Sequence, residues 1–269
     1  HFIFGCVAAV GKLLDLSMDE LENAQGIASE MTQPHSLAMY SPATLMIRIH
    51  HGFICRDAIN ACLLAQRGIT GPRQEILAAP KGYMGFANWD TDADVLTRGI
   101  GEQWEMMAVR MKRYPCMMQS QAAIDGILDQ MKQHHFTAED ITRIDVDQTP
   151  RFNALREESS HTKGNPQTIP ECQFSLPYVV ATAAIDEDFF MDAYTEEART
   201  RKNVREFMTL ISTGDDSSLP AFAVRITIKL KDGKVHSKEY IHAKGHPQNP
   251  FTEEELVDKF RKCAGYSAY

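Results

Sequence analysis

The feature that most constrains the fold is a strict alternation of apolar and polar side chains between residues 224 and 230. Every second residue is apolar, namely Val224, Ile226, Ile228 and Leu230. The residues between them are polar, namely Arg225, Thr227 and Lys229. This is the period of a β-strand with one buried face. The pair Asp232-Gly233 follows and is a strong turn signal, and a second run, VHSKEYIHAK, comes after it. The sequence therefore predicts a β-hairpin here.

The first hundred residues carry a helical pattern instead. Ser17 and Glu20 have the spacing of a capping box, which predicts a helix start at that point. Two prolines in residues 31–45 predict a loop, and a second helix is predicted over about 43–67, ended by Gly68. Its apolar face is rich in small residues, which lets helices approach closely: Ile54, Ala58, Ala61, Leu64 and Ala65.

After about residue 110 the pattern becomes mixed. Helices are predicted near 119–134, 173–185 and 195–211, and the apolar residues Ile141, Ile144 and Val146 predict a strand. A closing helix is predicted after Thr252, with Glu255 completing a second capping box. The fold class predicted from these patterns is mainly α, with a smaller α+β part.

Composition narrows the function classes. The 269 residues include 28 Lys and Arg against 36 Asp and Glu, a net charge of −8, which argues against nucleic acid or an anionic membrane as partner. No apolar run reaches the roughly 18–20 residues needed to span a bilayer. The six cysteines are scattered without a C-x-x-C pair, so we expect no metal site, and reduced, buried thiols in a cytoplasm-like compartment.

The amino terminus begins with an apolar helical pattern and has neither an initiator Met nor a capping residue ahead of it. A secretory signal would show a basic region and a small-residue cleavage site, and neither is clear here. We therefore expect that a further segment precedes His1 or is supplied by another chain.

Five segments, in order along the chain, are similar to landmarks of the MmgE/PrpD family, which includes 2-methylcitrate dehydratase and cis-aconitate decarboxylase. They are GKLLDLSMDELENAQGIASE, IRIHHGFICRDAINACLLAQRGITGP, KRYPCMMQSQAAIDGI, NPQTIPECQFSLPYVVATAA and GHPQNPFTEEELVDKF. The resemblance implies an all-helical domain plus a smaller α/β lid domain. It implies helical residues 1–110, a lid at 111–244, and residues 245–269 rejoining the helical domain.

The resemblance also implies a chemistry. Family enzymes abstract a proton next to a carboxylate and lose water or carbon dioxide, or epimerise, without a cofactor. We expect a lyase acting on a small di- or tricarboxylate. Dehydration of the 2-methylcitrate type is the leading choice, because of the similarities at Arg48 and Ser120-Gln121. A decarboxylase, an epimerase, a degenerate homologue or subunit without activity, and a plain dimerisation module are the alternatives. A homodimer, and a cytoplasmic or (in a eukaryote) mitochondrial location, are further expectations.

Alignment on Gly52 carries the family's site onto the long helix of the first domain. The substrate-facing lysine of the family falls at Ile47, Arg48 matches a family arginine, and His50 matches a histidine found in many members. Arg48 is a candidate for contact with the substrate anion or for a surface ion pair. His50 is the candidate catalytic residue, with packing or solvent exposure as its other interpretation.

At the domain junction the family carries histidines where this chain has Gln119 and Gln121. Glutamine can orient a carboxylate but cannot titrate, so both are candidate substrate-binding residues rather than bases. Lys112 is a candidate for electrostatic support of the bound anion, or simply an exposed charge. Tyr178 is a candidate for facing the cleft from the lid, or a buried aromatic residue of a helix.

Overall fold

The structure is a computed structural model of the chain. It describes residues 2–32, 44–73, 76–77, 82–86, 94, 97–150 and 164–267. The chain divides into two compact units, the first ending at Gln103 and the second beginning at Trp104. The domain boundaries implied by the resemblance stay a prediction.

The first unit is helical. Its helices are α1 (Phe2–Leu13), α2 (Met18–Met31), α3 (Met46–Gln66) and the short α4 (Tyr83–Phe86). The capping box at the start of α2 is confirmed, since Ser17 Oγ accepts from Glu20 N and Ser17 N donates to a Glu20 carboxylate oxygen at 2.8 Å. Gly68, whose φ is +84°, follows α3 as predicted. The predicted loop lies mostly outside the described residues.

Small side chains set the spacing of this unit's core. Ala58, Ala61 and Ala65 of α3 are buried, so the predicted small-residue face is confirmed at these positions. They pack with buried residues of the other two long helices, namely Ile3, Phe4, Val7, Ala24, Ile27 and Ala28. Of the helices in the described stretches, none is long and apolar enough to cross a membrane.

The second unit is built on a four-stranded sheet in the order β2-β1-β3-β4. The strands are β1 (Ile141–Gln148), β2 (Ile211–Asp215), β3 (Val224–Leu230) and β4 (Val235–Tyr240). The hairpin β3–β4 is confirmed: its strands are antiparallel, its predicted inner face is buried, and Gly233 adopts a φ of +87° at the turn. The pairing of β1 with β3 is antiparallel and that of β1 with β2 is parallel.

Helices pack around this sheet, in agreement with the predicted fold class of mainly α with a smaller α+β part. They are α5 (Gln121–His134), α6 (Ile169–Phe174), α7 (Leu176–Asp186), α8 (Glu196–Thr200) and α9 (Lys202–Met208). The helix predicted over 195–211 was wrong at its end. Ile211 instead begins β2, because its backbone pairs with Ile144 of β1.

The last helix, α10 (Glu253–Ala264), is held in the second unit by polar contacts. Thr252 and Glu255 form the predicted capping box. Lys262 pairs with Asp188 at 2.5 Å, and Lys244 pairs with Glu255 at 2.7 Å. No residue of this helix is buried within the described chain, so charge rather than apolar burial anchors it.

We therefore expect α10 to loosen in acid before the rest of the unit. The bond from Lys244, then that from the Thr252 amide, lowers the pKa of Glu255. Partial burial acts to raise the pKa of Asp188, but the hydrogen bonds from Lys262 and the Phe189 N–H, together with the nearby positive charges, outweigh it and the net shift is downward. Carboxyl groups with a lowered pKa stabilise the fold above their unfolded pKa, near 4, and this stability is lost as the pH falls through the folded pKa.

Hydrogen exchange, corrected for its intrinsic pH dependence, measures this loosening. Amides of α10 should lose protection between pH 6 and 3, whereas amides of α5 should keep theirs. Lys244→Met should produce part of the loss at pH 7. Equal protection of α10 at both pH values would contradict the charged anchor.

Candidate functional site

Residues 112–121, here called the junction segment, open the second unit and lead into α5. The buried side chain of Gln121 fastens this segment through both ends of its amide. Its Oε1 accepts from the backbone N–H groups of Arg113 and Tyr114, each at 3.0 Å. Its Nε2 donates to the Tyr114 carbonyl at 3.0 Å. Gln121 thus fixes the peptide units before Pro115, and we call its hydrogen bonds to Arg113 and Tyr114 the bracket.

Two residues from later in the chain hold the carbonyl of Pro115. Gln173 Nε2 and the Tyr194 hydroxyl each donate to it at 3.0 Å. In addition, the Met117 N–H donates to the Gln173 carbonyl at 3.2 Å. The junction segment is therefore fixed from both sides, by α5 and by the region of α6.

Asp125 is a polar residue next to the junction segment that the sequence reasoning missed. Its carboxylate accepts from the Tyr114 hydroxyl at 3.0 Å and from the Lys244 N–H at 2.8 Å, and Arg113 lies 3.8 Å away. Burial raises the pKa of Asp125, while these hydrogen bonds and charges act in the opposite direction. The signal available in the sequence was its position four residues after Gln121, on the same face of α5.

Lys112 lies near a second lysine, Lys259. It is exposed, and the ammonium group of Lys259 donates to its carbonyl oxygen. Desolvation by the surrounding protein lowers the pKa of Lys112, and the ammonium of Lys259 lowers it further. A bound anion would oppose both effects, because it favours the charged form of a lysine.

Next to this pair is an open cleft of about 200 Å³. It is lined by Arg113, Tyr114, Asp188, Phe189, Phe190, Phe251, Glu255, Asp258, Lys259 and Lys262. The lining thus contains three cationic side chains, three anionic side chains and four aromatic rings. Lys262 is already paired with Asp188, whereas Lys259 lies 5.9 Å from the ring centroid of Phe251.

Gln119 and Tyr178, two further residues predicted to bind the substrate, differ in their burial. Gln119 is half-buried, and its carbonyl accepts from Gln148 Nε2 at 2.7 Å, which joins the end of β1 to the junction segment. Tyr178 on α7 is fully buried, and its hydroxyl donates to the carbonyl of Ala193. Burial raises the pKa of Tyr178 to about 12, so the phenol is neutral at physiological pH.

Arg48 and His50 belong to the first unit, at the start of α3. Arg48 is exposed and His50 is half-buried. His50 Nδ1 lies 3.1 Å from the Ile47 carbonyl oxygen and 3.2 Å from that of Met46. Carbonyl oxygens only accept, so Nδ1 carries the proton in the neutral ring and Nε2 is the nitrogen that can take one up.

His51 forms the other part of this aromatic group. Its ring centroid lies 3.8 Å from that of His50 and 5.1 Å from that of Phe2. Burial, then the proximity of His50, lowers the pKa of His51. Among the residues that the structure describes, no group of three or more His, Cys, Asp or Glu could hold a metal ion.

Comparison with known families identifies the class. A helical unit is followed by an α+β unit whose junction segment is fixed by buried polar side chains. The family model described as the MmgE/PrpD N-terminal domain matches residues 1–95, and that of the MmgE/PrpD C-terminal domain matches residues 114–268. The chain belongs to the MmgE/PrpD family, and the resemblance noted in the sequence is confirmed.

Curated relatives are similar at low identity. The chain is 27% identical over 270 residues to a cis-aconitate decarboxylase of Homo sapiens, covering 97% of this chain and 54% of that protein. It is 24% identical over 287 residues to a cis-aconitate decarboxylase-like protein of Aspergillus oryzae (97% and 57%). It is 23% identical over 282 residues to a cis-aconitate decarboxylase of Aspergillus terreus (96% and 55%). The chain spans about half the length of these relatives, and decarboxylases of this kind are lyases.

Proposed function

We propose that this protein is a lyase that removes carbon dioxide from a small unsaturated di- or tricarboxylate of the cis-aconitate kind. The support for decarboxylation is the similarity to cis-aconitate decarboxylases along almost the whole chain. The expected dehydration rested on Arg48 and on Ser120-Gln121. Since Ser120 is buried and the amide of Gln121 is bonded to the junction segment, the structure offers that choice less support.

The reaction sets two requirements. When the bond to the departing carboxylate breaks, its electron pair moves into the conjugated system that the remaining carboxylates share. Cations near those carboxylates stabilise the charge, and an acid then protonates the carbon. We assign charge stabilisation to Lys112 of the second unit. His50, in the first unit, stays the candidate catalytic residue predicted from the sequence.

The observation that carries this proposal is the pair Lys112 and Lys259. Desolvation and, to a smaller extent, the charge of Lys259 lower the pKa of Lys112. An anionic ligand relieves the repulsion between the two ammonium groups, since it is attracted to both charges. The pair therefore suits the binding of a carboxylate.

We expect purified protein to release carbon dioxide from cis-aconitate, and Lys112→Met to reduce kcat/KM by about 10- to 100-fold. A charge-assisted hydrogen bond to a carboxylate is worth roughly 1.5–3 kcal/mol, which corresponds to that range. Lys132→Met, at an exposed position on α5, is the matched control and should leave kcat/KM unchanged. NMR of the reaction mixture identifies the product. An equal loss in both variants would contradict a specific role for Lys112.

The same substrate panel separates the other candidates. Water loss from 2-methylcitrate, without release of carbon dioxide from cis-aconitate, would favour a dehydratase instead. Inactivity of folded protein on every acid tested would favour a homologue that keeps the scaffold without the reaction. Ile47, at the position of the family's lysine, and the internally bonded Gln121 favour this second candidate.

A further inference from the structure

Two cysteines from different helices of the first unit lie in sulfur contact. Cys6 on α1 and Cys55 on α3 are separated by 49 positions in sequence, and their Sγ atoms are 3.9 Å apart. The ring contact between Phe2 and His51 has the same sequence offset and lies one turn earlier on both helices. The two helices therefore run parallel at this level, with the cysteines on their facing sides.

The remaining thiols differ from this pair in burial and surroundings. Cys62, Cys116 and Cys172 are buried, and desolvation raises the pKa of each, which makes them poor nucleophiles. Cys263 is exposed, but no sulfur contact joins it to another cysteine in the described chain. Cys55 is exposed and Cys6 is half-buried, so the sequence-based expectation of buried thiols was wrong for Cys6, Cys55 and Cys263.

We propose that Cys6 and Cys55 form an oxidisable dithiol site, which low-molecular-weight disulfides convert to an intramolecular disulfide between α1 and α3. The sulfur atoms must approach from 3.9 Å to the roughly 2.05 Å of a disulfide bond. The proposal does not depend on the proposed lyase activity.

The chemistry balances as two exchange steps. The exposed Cys55 thiolate attacks the small disulfide RSSR, forming a mixed disulfide and releasing one thiolate RS⁻. The Cys6 thiolate then attacks the Cys55 sulfur and expels the second RS⁻. The two cysteines lose two protons and two electrons, and RSSR is reduced to two RSH. Burial, then contact with Cys55, raises the pKa of Cys6, so the second step should be faster at higher pH.

Peptide mapping tests the site directly. The reduced chain is incubated with oxidised glutathione at pH 8, free thiols are blocked with iodoacetamide, and the protein is digested with trypsin without reductant. The sequence places Cys6 in peptide 1–12, Cys55 in 49–56 and Cys62 in 57–67, so the partners are distinguishable. The expected product is peptide 1–12 joined to peptide 49–56, separated by dithiothreitol.

A second measurement is the thermal midpoint. Closing a loop of this length should raise it by roughly 10 °C, and dithiothreitol should reverse the rise. Cys6→Ser and Cys55→Ser should each abolish the linked peptide and the rise. Cys263→Ser, which removes another exposed thiol, should keep both. Glutathione adducts without the linked peptide, or links between two chains, would overturn the proposal.

Discussion

Gly26→Ala is expected to destabilise the first unit by about 3 kcal/mol or more, at the upper end of the cost of overpacking. An added Cβ at this buried position of α2 would lie 1.9 Å from the carbonyl oxygen of Pro72. The contact is reciprocal, since a Cβ on Gly71 would lie 2.4 Å from the backbone nitrogen of Ile27. Both neighbours are backbone atoms rather than flexible side-chain ends. Relief therefore requires the loop after α3 to move away from α2.

Urea unfolding followed by circular dichroism, with hydrogen exchange of peptides from α2, measures this effect. Gly5→Ala is the matched control, because Gly5 is an exposed position inside α1 and a Cβ there meets no atom within 4 Å. Helix propensity predicts that this change stabilises the unit by up to about 1 kcal/mol. Similar stability of the two variants would show that α2 and the loop do not approach each other as closely as described.

Local chemistry explains why part of the fold was predictable. The hairpin follows from alternation and from Asp232-Gly233, and the helix starts at Ser17 and Thr252 follow from capping residues three positions from a glutamate. Each signal lies within a few residues of the structure that it specifies. Such signals are independent of what the rest of the chain does.

Strand β2 shows where sequence patterns fail. Its residues, ISTGD, include Gly214 and Asp215, types that are depleted in strands. Its partner is β1, and the register pairs Ile144 with Ile211 across 67 positions of sequence. A parallel edge strand of this kind is specified by a distant partner. Continuing the preceding helix to residue 211 was therefore the natural local interpretation.

The sequence indicated which residues belong to the candidate site, but not which atoms they contact. The resemblance drew attention to Lys112, Gln119 and Gln121, and all three lie on the junction segment. Spacing cannot tell whether an amide faces a ligand or the chain's own backbone. For that reason the bracket formed by Gln121 and the half-buried carboxylate of Asp125 emerged only from the three-dimensional arrangement. Substrate binding by Gln121 stays a prediction.

Gln121→Leu is expected to destabilise the second unit by about 3 kcal/mol. Leucine fills similar space but leaves the Tyr114 N–H without its acceptor and the Tyr114 carbonyl with only the Cys116 N–H, and Tyr114 is only 4% exposed. Each buried polar group left unsatisfied costs roughly 1–3 kcal/mol. Urea unfolding monitored by hydrogen exchange of the junction segment gives the measurement. Gln133→Leu, at an exposed position on the same helix, should change stability by no more than about 0.5 kcal/mol.

The variant Gln121→Glu tests whether Gln121 holds the junction segment through the bracket or binds the substrate directly. The carboxylate keeps acceptors for the two N–H groups but loses the donor and places a charge in a buried site. Burial raises the pKa of such a glutamate, so its stability should recover as the pH falls, because the protonated form is neutral and again a donor. A bracket therefore predicts that the difference in stability between Gln121→Glu and the wild type becomes smaller as the pH falls. If Gln121→Leu instead unfolds like the wild type and loses only affinity for carboxylates, the amide serves the ligand rather than the junction segment.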